Sequence, residues 1–338
     1  MKILIIQTAF IGDVILATGV AESIHAYNPA IQIDFLLRKG NQALLNNHPF
    51  INEVLVWDKT ENKIANLFKL IRRIRQSKYN YVINLHRFGS SGLITVLSGA
   101  RVTVGFNKNP LSIFFSSSYP HHIGKKGDVF AHETERNFSL LKEIGACEKK
   151  LPRLHPSAKD FGKIKLYQED MYICMAPSSV WFTKQWPEVK WIELINSIPD
   201  NIKIYLLGAP SDIGLCERIL QHAKRTNVIS LCGNLSFLES AALMQKATMN
   251  YVNDSAPMHM ASAMNAPVTA IYCSTIPEFG FGPLSDQSHI VEVQEDLACR
   301  PCGLHGHKAC PKEHFNCAML IDPNNIVQTT LHTHIKVS

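Results

Sequence analysis

The chain has 338 residues, of which 46% are hydrophobic and 18% are charged. This composition excludes a disordered, collagen-like or low-complexity protein, and the length suits about two domains. The formal net charge is +6, from 34 Lys and Arg residues against 28 Asp and Glu residues. Such an excess is too mild for a dedicated nucleic-acid binder, but it suits an anionic ligand or a membrane surface.

Short apolar runs alternate with helical patterns through the first half of the chain. The patterns predict strands over residues 3–7, 31–37, 54–57, 79–85 and 101–106. They predict helices over residues 13–27, 61–78, from 93 onward, and 130–144, the last ended by Gly145. Residues 146–169 begin with a polar stretch that carries two prolines, and they are predicted to be a linker.

The same alternation restarts after the linker. Strands are predicted over residues 171–175, 203–208, 228–231, 249–252 and 268–273, and helices over 188–198, 211–224, 237–246, 256–264 and 324–334. Strands that alternate with helices indicate parallel sheets. The predicted fold class is therefore α/β, with two Rossmann-like doubly wound domains at 1–155 and 168–322 that face a central cleft. In such sheets ligands bind beyond the carboxyl ends of the strands.

The first strand is followed by a loop that opens a helix. Gly12 allows close backbone approach, and Asp13 lies in the first helical turn, where the helix dipole favours a carboxylate. Asp13 is either a simple helix cap or a functional carboxylate. The dinucleotide fingerprint G-x-G-x-x-G is missing from this loop, which argues against a nicotinamide or flavin enzyme.

Two loops of the second half carry candidate phosphate ligands. After the strand at 171–175 come the hydroxyls of Ser178, Ser179 and Thr183 and the cation of Lys184, which could grip a phosphate or form an ordinary surface loop. After the strand at 249–252, Asp254 or Ser255 caps a helix. The amides of Ser255 and Ala256 could bind a phosphate there, with His259 one turn further on. The alternative is an ordinary N-cap beside a core histidine.

Nine cysteines are present, and four of them lie between residues 299 and 317. The spacing of Cys299, Cys302, Cys310 and Cys317 suits a tetrahedral zinc or iron site, although a reduced metal-free loop or a disulfide would also fit. No apolar run is long enough to span a membrane. Polar Gln7 and Thr8 and acidic Asp13 interrupt the apolar start of the chain, so no signal peptide is predicted and the expected location is the cytoplasm.

Three of these loops together resemble a known family. The segments are Ile11-Gly-Asp13, Lys184-Gln-Trp-Pro-Glu188 and Asn253-Asp-Ser-Ala-Pro-Met-His259. Further stretches match in the same order, among them Leu85-His-Arg87 and His132-Glu-Thr-Glu-Arg-Asn137. The chain resembles, over nearly its whole length, the ADP-heptose:lipopolysaccharide heptosyltransferases of glycosyltransferase family nine. The Cys-x-Pro-Cys run favours the heptosyltransferase II-like branch.

This resemblance implies a GT-B fold, with the acceptor on the first domain and the nucleotide sugar on the second. It also implies that the closing helix, at 323–338, packs back on the first domain. The reaction would be a single inverting displacement in which Asp13 is the base and Lys184 neutralises the leaving diphosphate. No metal cofactor is required, and a metal at the cysteines would be structural.

The resemblance also assigns the remaining site residues. Ser178, Ser179 and the amides of Ser255 and Ala256 would hold the phosphates of ADP. Asp254 would contact heptose hydroxyls, with His259 nearby, and Asp212 would contact the ribose, with Glu217 as the alternative. The other substrate-binding candidates are Thr8, Gly12, Arg87 and Thr183.

The helix at 61–78 is basic and amphipathic. Its apolar residues are Ile64, Leu67, Phe68, Ile71 and Ile74, and six of the others are Lys or Arg. The apolar face suits ordinary core packing, whereas the charges suit a phosphorylated lipid acceptor at the inner leaflet. The expected partners are thus ADP-heptose, the lipopolysaccharide core with lipid A, and the inner face of the inner membrane, with no nucleic acid.

Three alternatives stay open at this point. The acceptor could differ, as the first or third core heptose or a protein. The enzyme could instead be a GT-B sugar-nucleotide epimerase. The cysteine segment could also belong to a metal-stapled module that binds nucleic acid.

Overall fold

The structure is a computed structural model that describes residues 1–60, 62–146 and 148–330. The chain divides into two compact units. The first consists of Met1–Ile123 and Ala131–His155, and the second consists of Gly124–Phe130 and the chain from Pro156 onward. Gly124 packs tightly within the second unit, since a Cβ there would lie 2.2 Å from the carbonyl oxygen of Glu278.

The first unit is built around one parallel sheet. Its elements are β1 (Lys2–Ile6), α1 (Ile11–Tyr27), β2 (Gln32–Arg38), β3 (Ile51–Trp57), α2 (Lys63–Gln76), β4 (Tyr81–Asn84), α3 (Gly89–Leu97), β5 (Val102–Phe106), β6 (Ser117–Tyr119) and α4 (Glu133–Ser139). The strand order is β3-β2-β1-β4-β5-β6, and all of these pairings are parallel. β1 is central, and the side chains of its last four residues are fully buried.

The second unit repeats this plan. Its elements are α5 (Ala158–Ile164), β7 (Tyr172–Ala176), α6 (Glu188–Ser197), β8 (Lys203–Leu206), α7 (Ile213–His222), β9 (Val228–Ser230), α8 (Phe237–Gln245), β10 (Met249–Asn253), α9 (Ala256–Ala263), β11 (Val268–Tyr272), β12 (Ser288–Glu292), α10 (Asn316–Met319) and α11 (Pro323–Thr330). The strand order is β12-β11-β10-β7-β8-β9, again with parallel pairings.

The two sheets therefore share the doubly wound order 3-2-1-4-5-6, and the predicted α/β fold class is confirmed. In this order the chain reverses direction across the sheet between strands 1 and 4. These strands are β1 and β4 in the first unit and β7 and β10 in the second. The loops that follow these four strands are the expected binding loops, and they contain most of the residues selected from the sequence.

Some local predictions were wrong. The segment predicted as a linker, 146–169, includes the division between the units at 155–156, but its second part folds as α5. This helix begins with a reciprocal cap between Ser157 and Asp160 and buries Ile164. The sequence pattern did not predict β6 and β12, because both are short edge strands with partly exposed residues. The helix predicted from residue 130 begins only at Glu133 and tightens into a 3₁₀ turn over Leu140–Ile144.

The apolar stripe of α2 also differs from the prediction. Leu67, Leu70, Ile71 and Ile74 are buried, whereas Ile64 is 71% exposed and Phe68 is 56% exposed. The four buried residues form the stripe that packs against the core, and Ile64 and Phe68 lie outside this stripe on the helix surface. Two apolar side chains therefore stand on the basic surface of α2. Within the described residues, no helix has the length and apolar character needed to cross a membrane.

The closing helix is described only over α11. Ile326 and Val327 are buried in the core of the second unit, where α11 packs against α6. Residues 331–338, which complete the predicted helix, lie outside the described residues, as does Cys147. Packing of the closing helix on the first domain stays a prediction.

Candidate active site

The centre of the candidate site in the second unit is an ion pair between two loops. Lys184 lies after β7 and Asp254 lies directly after β10, and Lys184 Nζ is 2.7 Å from Asp254 Oδ2. The two side chains are only 16% and 9% exposed. The hydroxyl of Thr275 donates to the same carboxylate oxygen at 2.7 Å. Because an ammonium has three donors, Lys184 can contact Asp254 and an anionic ligand at the same time.

Asn253 fixes the relation between these two loops. Its buried side-chain carbonyl accepts the backbone N–H of Trp186 at 3.0 Å, and its amide group donates to the carbonyl of Pro177 at 2.8 Å. The last residue of β10 thus holds both ends of the loop that carries Lys184. Sequence reasoning did not select Asn253, although a polar residue that ends an apolar strand is a usable signal.

Ser178 and Asp212 also come together. The Ser178 hydroxyl donates to Asp212 Oδ2 at 2.8 Å, and the same oxygen accepts the backbone N–H of Ala209 at 2.8 Å. Asp212 therefore orders the turn after β8 and orients Ser178. Glu217 is exposed on α7, and the choice between these two carboxylates for a ribose stays a prediction. The carbonyl of Ser179 accepts a hydrogen bond from the Gln185 side chain.

The amino end of α9 lies at the same edge of the sheet. Ser255 is the N-cap, Ala256 is the first helical residue and Pro257 follows it. The Ser255 hydroxyl donates to the carbonyl of Asn253 at 3.4 Å. His259 is buried in the helix, with 6% exposure. Helix amino ends favour anions, so the backbone of Ser255 and Ala256 fits the predicted phosphate contact.

The cysteine-rich segment, defined as residues 299–317, contacts the loop that carries Lys184. Thr183 is 1% exposed, and its hydroxyl accepts from the Ser274 hydroxyl at 3.0 Å and from the His307 N–H at 2.7 Å. Gly306 has φ +77°, and a Cβ there would lie 2.8 Å from Thr183 Oγ1 and 3.1 Å from Lys184 Cγ. Thr183 thus joins the loop to this segment, and its direct contact with a substrate stays a prediction.

Arg300 fastens the same segment to the loop that carries Thr275. Its guanidinium donates to the carbonyls of Cys273 at 2.8 Å and Thr275 at 2.7 Å, and to Glu292 at 2.6 Å. Thr275 in turn holds Asp254. Sequence reasoning did not assign Arg300 to the site, because its backbone partners lie more than twenty residues away in the chain.

The four cysteine thiols lie near one another, since after burial Cys302, Cys310 and Cys299 all contribute to the raised pKa of Cys317. Among the described residues, no three of them lie within 4.8 Å of one another. Cys302 donates to the carbonyl of Cys299 at 3.1 Å. Burial raises the pKa of Cys302 and raises that of Cys317 to about 12, so both are protonated thiols in this arrangement. A zinc or iron ion at these residues stays a prediction.

The candidate site in the first unit lies after β1 and β4. Asp13 is the third residue of α1 and half-buried, and its carboxylate accepts the backbone N–H of Phe10 at 3.2 Å. Gly12 precedes it in the same helical turn. Thr8, after β1, shares a 3.0 Å hydrogen bond with His86, which lies after β4 next to Arg87. The two binding loops of the first sheet are therefore joined directly.

Two cations that sequence reasoning missed border these loops. Lys59 donates to the carbonyl of Thr8 at 3.2 Å, and the guanidinium of Arg38 lies 4.8 Å from the Phe10 ring. Burial, with repulsion from Arg38 and Lys63, lowers the pKa of Lys59 to about 8. Arg38 ends β2 and Lys59 follows β3, and neither residue belongs to the motifs selected from the sequence.

His86 is the neutral member of this group. Burial, followed by repulsion from Lys59, Arg87 and Arg38, lowers its pKa to about 4. Arg38, Lys59 and Arg87 therefore surround an uncharged imidazole at neutral pH. This edge of the first sheet is suited to an anionic ligand.

Comparison with known proteins identifies the family. The model of glycosyltransferase family 9 (heptosyltransferase) matches residues 67–311. The chain belongs to this family. Lipopolysaccharide heptosyltransferase 3 of Escherichia coli is 27% identical over 282 residues, which cover 79% of this chain and 82% of that protein.

Solved structures agree in fold. The E. coli ADP-heptose lps heptosyltransferase II has a TM-score of 0.81 at 19% identity, covering 100% of this chain and 99% of that one. E. coli heptosyltransferase WaaC with ADP-2-deoxy-2-fluoro heptose has a TM-score of 0.74 at 19% identity, covering 98% and 100%. The predicted family and the GT-B fold are both confirmed, and the chain is a glycosyltransferase.

Proposed function

We propose that this glycosyltransferase moves heptose from ADP-L-glycero-D-manno-heptose to the inner core of lipopolysaccharide by a single inverting displacement. The observation that carries the proposal is the Lys184–Asp254 ion pair, which stands beside the amino end of α9 at the switch point of the second sheet. The relatives' names supply the donor and the acceptor class.

The second unit binds the donor in this proposal. Lys184 and the first amides of α9 take the diphosphate, Ser178 and Ser179 add polar contacts, and Asp254 accepts from heptose hydroxyls. When the bond between the anomeric carbon and the diphosphate oxygen breaks, its electron pair goes to the diphosphate. The Lys184 cation and the helix dipole stabilise that charge, so no metal ion is needed for this step.

The first unit binds the acceptor and supplies the base. Asp13 takes the proton of the attacking hydroxyl as the oxygen bonds to the anomeric carbon, and attack opposite the leaving group inverts the configuration. Arg38, Lys59 and Arg87 provide the positive charge that a phosphorylated core sugar requires. Thr8 and Gly12 lie next to the base and shape its loop.

The decisive experiment is a transfer assay with ADP-heptose and lipopolysaccharide cores truncated before the first, second or third heptose. Transfer to the mono-heptosylated core alone would support a second-heptose acceptor.

Asp13→Asn should abolish transfer while ADP still binds, and retained turnover would place the base elsewhere. Rapid conversion of the donor without acceptor would replace the transferase proposal with an epimerase.

The basic surface of α2 supports a location at the inner face of the inner membrane. Exposed Ile64 and Phe68 stand among the exposed cations Lys63, Lys69 and Arg72, which is the composition of an interfacial helix. Cations near anionic lipid add roughly 1 kcal/mol each.

Sedimentation with anionic vesicles tests this location. We expect Ile64→Asn/Phe68→Asn and Lys63→Glu/Lys69→Glu each to reduce vesicle binding. The matched control Lys159→Glu/Lys246→Glu changes two exposed lysines of the second unit and should bind like the unchanged chain. Equal binding of all variants at low salt would refute the membrane contact.

A further inference from the structure

A cluster of three metal-ligand side chains lies in the first unit, apart from the residues assigned to donor or acceptor. Glu22 lies on α1, His48 in the turn between β2 and β3, and His155 at the end of the first unit. One ligand atom of each lies within 4.8 Å of the other two. Glu22 Oε1 is 2.9 Å from His155 Nε2 and 3.5 Å from His48 Nε2.

His48 gives independent evidence of a ligand. Its side chain is 1% exposed, its Nε2 is directed at Glu22, and this buried nitrogen has no hydrogen-bond partner. A buried polar atom without a partner costs free energy, which a bound ligand would recover.

We propose that Glu22, His48 and His155 bind a divalent transition metal ion, with zinc as the best fit. Two imidazole nitrogens and one carboxylate are typical zinc ligands, and calcium or magnesium would require oxygen ligands instead. Ligand atoms around a tetrahedral zinc ion are separated by roughly 3.3 Å, given metal–ligand distances of about 2.0–2.1 Å. The distances of 2.9 and 3.5 Å bracket this value. His155 is partly exposed, so water can supply the fourth ligand.

Coordination requires the Nε2 proton of each imidazole to leave. The Glu22 carboxylate only accepts, so its 2.9 Å contact with His155 is a hydrogen bond that His155 Nε2 donates. The Phe50 N–H lies 3.4 Å from His48 Nδ1, a contact at the long limit of hydrogen bonding. With zinc on Nε2 of both histidines, each imidazole carries its proton on Nδ1. The weak contact between Phe50 and His48 and the hydrogen bond from His155 to Glu22 are then given up. Glu22 supplies one negative charge to the ion.

The segment that carries His155 is already held against α1. The N–H of Lys150 donates to the Ser23 hydroxyl at 2.9 Å, and the N–H of Arg153 donates to the Thr18 hydroxyl at 3.0 Å. The three ligands therefore lie on backbone that is ordered before the ion binds. The ion would link the end of the first unit to α1 and to the turn after β2. Its role would therefore be structural.

The test is zinc titration of the full chain after removal of metals with a chelator, in the unchanged chain and in the background Cys299→Ser/Cys302→Ser. The background removes two of the four competing thiols and leaves too few to complete a four-cysteine site. We expect zinc to bind to both and to raise the melting temperature of both. Glu22→Gln and His155→Ala should each weaken this binding by more than about 100-fold and remove the thermal shift, since even outer partners of a ligand are worth 10–100-fold.

His222→Ala is the matched control, because it removes an exposed histidine of α7 outside the cluster. It should leave zinc binding unchanged. Cobalt in place of zinc should give a spectrum without sulfur-to-metal charge transfer. The proposal is overturned if the unchanged chain binds no zinc at micromolar concentrations. It is equally overturned if the cysteine background abolishes binding, or if Glu22→Gln and His155→Ala bind as the unchanged chain does.

Discussion

The ion pair between Lys184 and Asp254 offers a test that separates catalysis from stability. At an effective dielectric constant of about 20, two charges 2.7 Å apart attract by about 6 kcal/mol, which desolvation largely offsets. Breaking a fully buried pair costs roughly 3–5 kcal/mol. Since both side chains retain some exposure, we expect Lys184→Gln to lower the free energy of unfolding by about 2 kcal/mol.

The same substitution removes the cation that faces the leaving diphosphate. Loss of one such donor costs about 100-fold to 1,000-fold in kcat. We therefore expect Lys184→Gln to lower kcat/KM for ADP-heptose at least about 100-fold, as measured by release of ADP in the presence of acceptor. Urea unfolding of the same preparations gives the change in stability.

The double variant Lys184→Gln/Asp254→Asn separates the two effects. Its neutral amides can hydrogen-bond to each other, so most of the lost stability should return, whereas activity should not. If activity returns together with stability, Lys184 is only a structural partner of Asp254. An unchanged kcat/KM in the single variant would refute the diphosphate role directly.

Three further predictions concern other parts of the two units. Because the pKa of Lys59 is lowered to about 8, its charge is present below pH 8 and lost above it. The KM for a phosphorylated acceptor should therefore rise up to about tenfold between pH 7 and 9. The KM of a Lys59→Arg variant should stay constant over this range. Arg136 is almost buried and pairs with Glu133 at 2.7 Å, so Arg136→Met should lower the free energy of unfolding by roughly 3–5 kcal/mol in urea titrations; a loss under 1 kcal/mol would contradict this. Gly306→Ala should lower kcat, because a Cβ at φ +77° strains the backbone by about 1–3 kcal/mol and displaces Thr183, the neighbour of Lys184. An unchanged kcat would show that the cysteine-rich segment does not position the loop that carries Lys184.

The sequence predicted the elements well wherever apolar periodicity was strong. Central strands such as β1 and β7 are continuous buried runs, and the loops that follow them carry Asp13 and Lys184. Position after a strand was therefore enough to find these residues. The edge strands β6 and β12 escaped prediction because an edge strand buries little and needs no apolar run.

The support of the site could not be predicted from local pattern. Thr275, Arg300 and Gly306 act on Asp254, Thr183 and Lys184 across tens of residues or more than a hundred, and only the folded chain brings them together. For a related reason, the sequence did not predict which apolar residues of α2 pack against the core. The four buried and two exposed apolar residues of α2 span more of the helix surface than the core covers, and tertiary packing decides which of them remain exposed.

The assignment of Gly124–Phe130 to the second unit has a consequence for recombination. The polypeptide passes between the units at residues 123–124, 130–131 and 155–156. The gene segment for residues 1–155 therefore encodes the whole first unit together with part of the second, and the segment from residue 156 onward encodes an incomplete second unit. Division of the chain at residue 155 would separate Gly124–Phe130 from its contacts in the second unit. Gly124 would lose Glu278, against which it packs, and Lys126 would lose its ion-pair partner Asp296. Exchange of one half for that of a relative, in evolution or in the laboratory, must therefore carry this short segment along with the distant half.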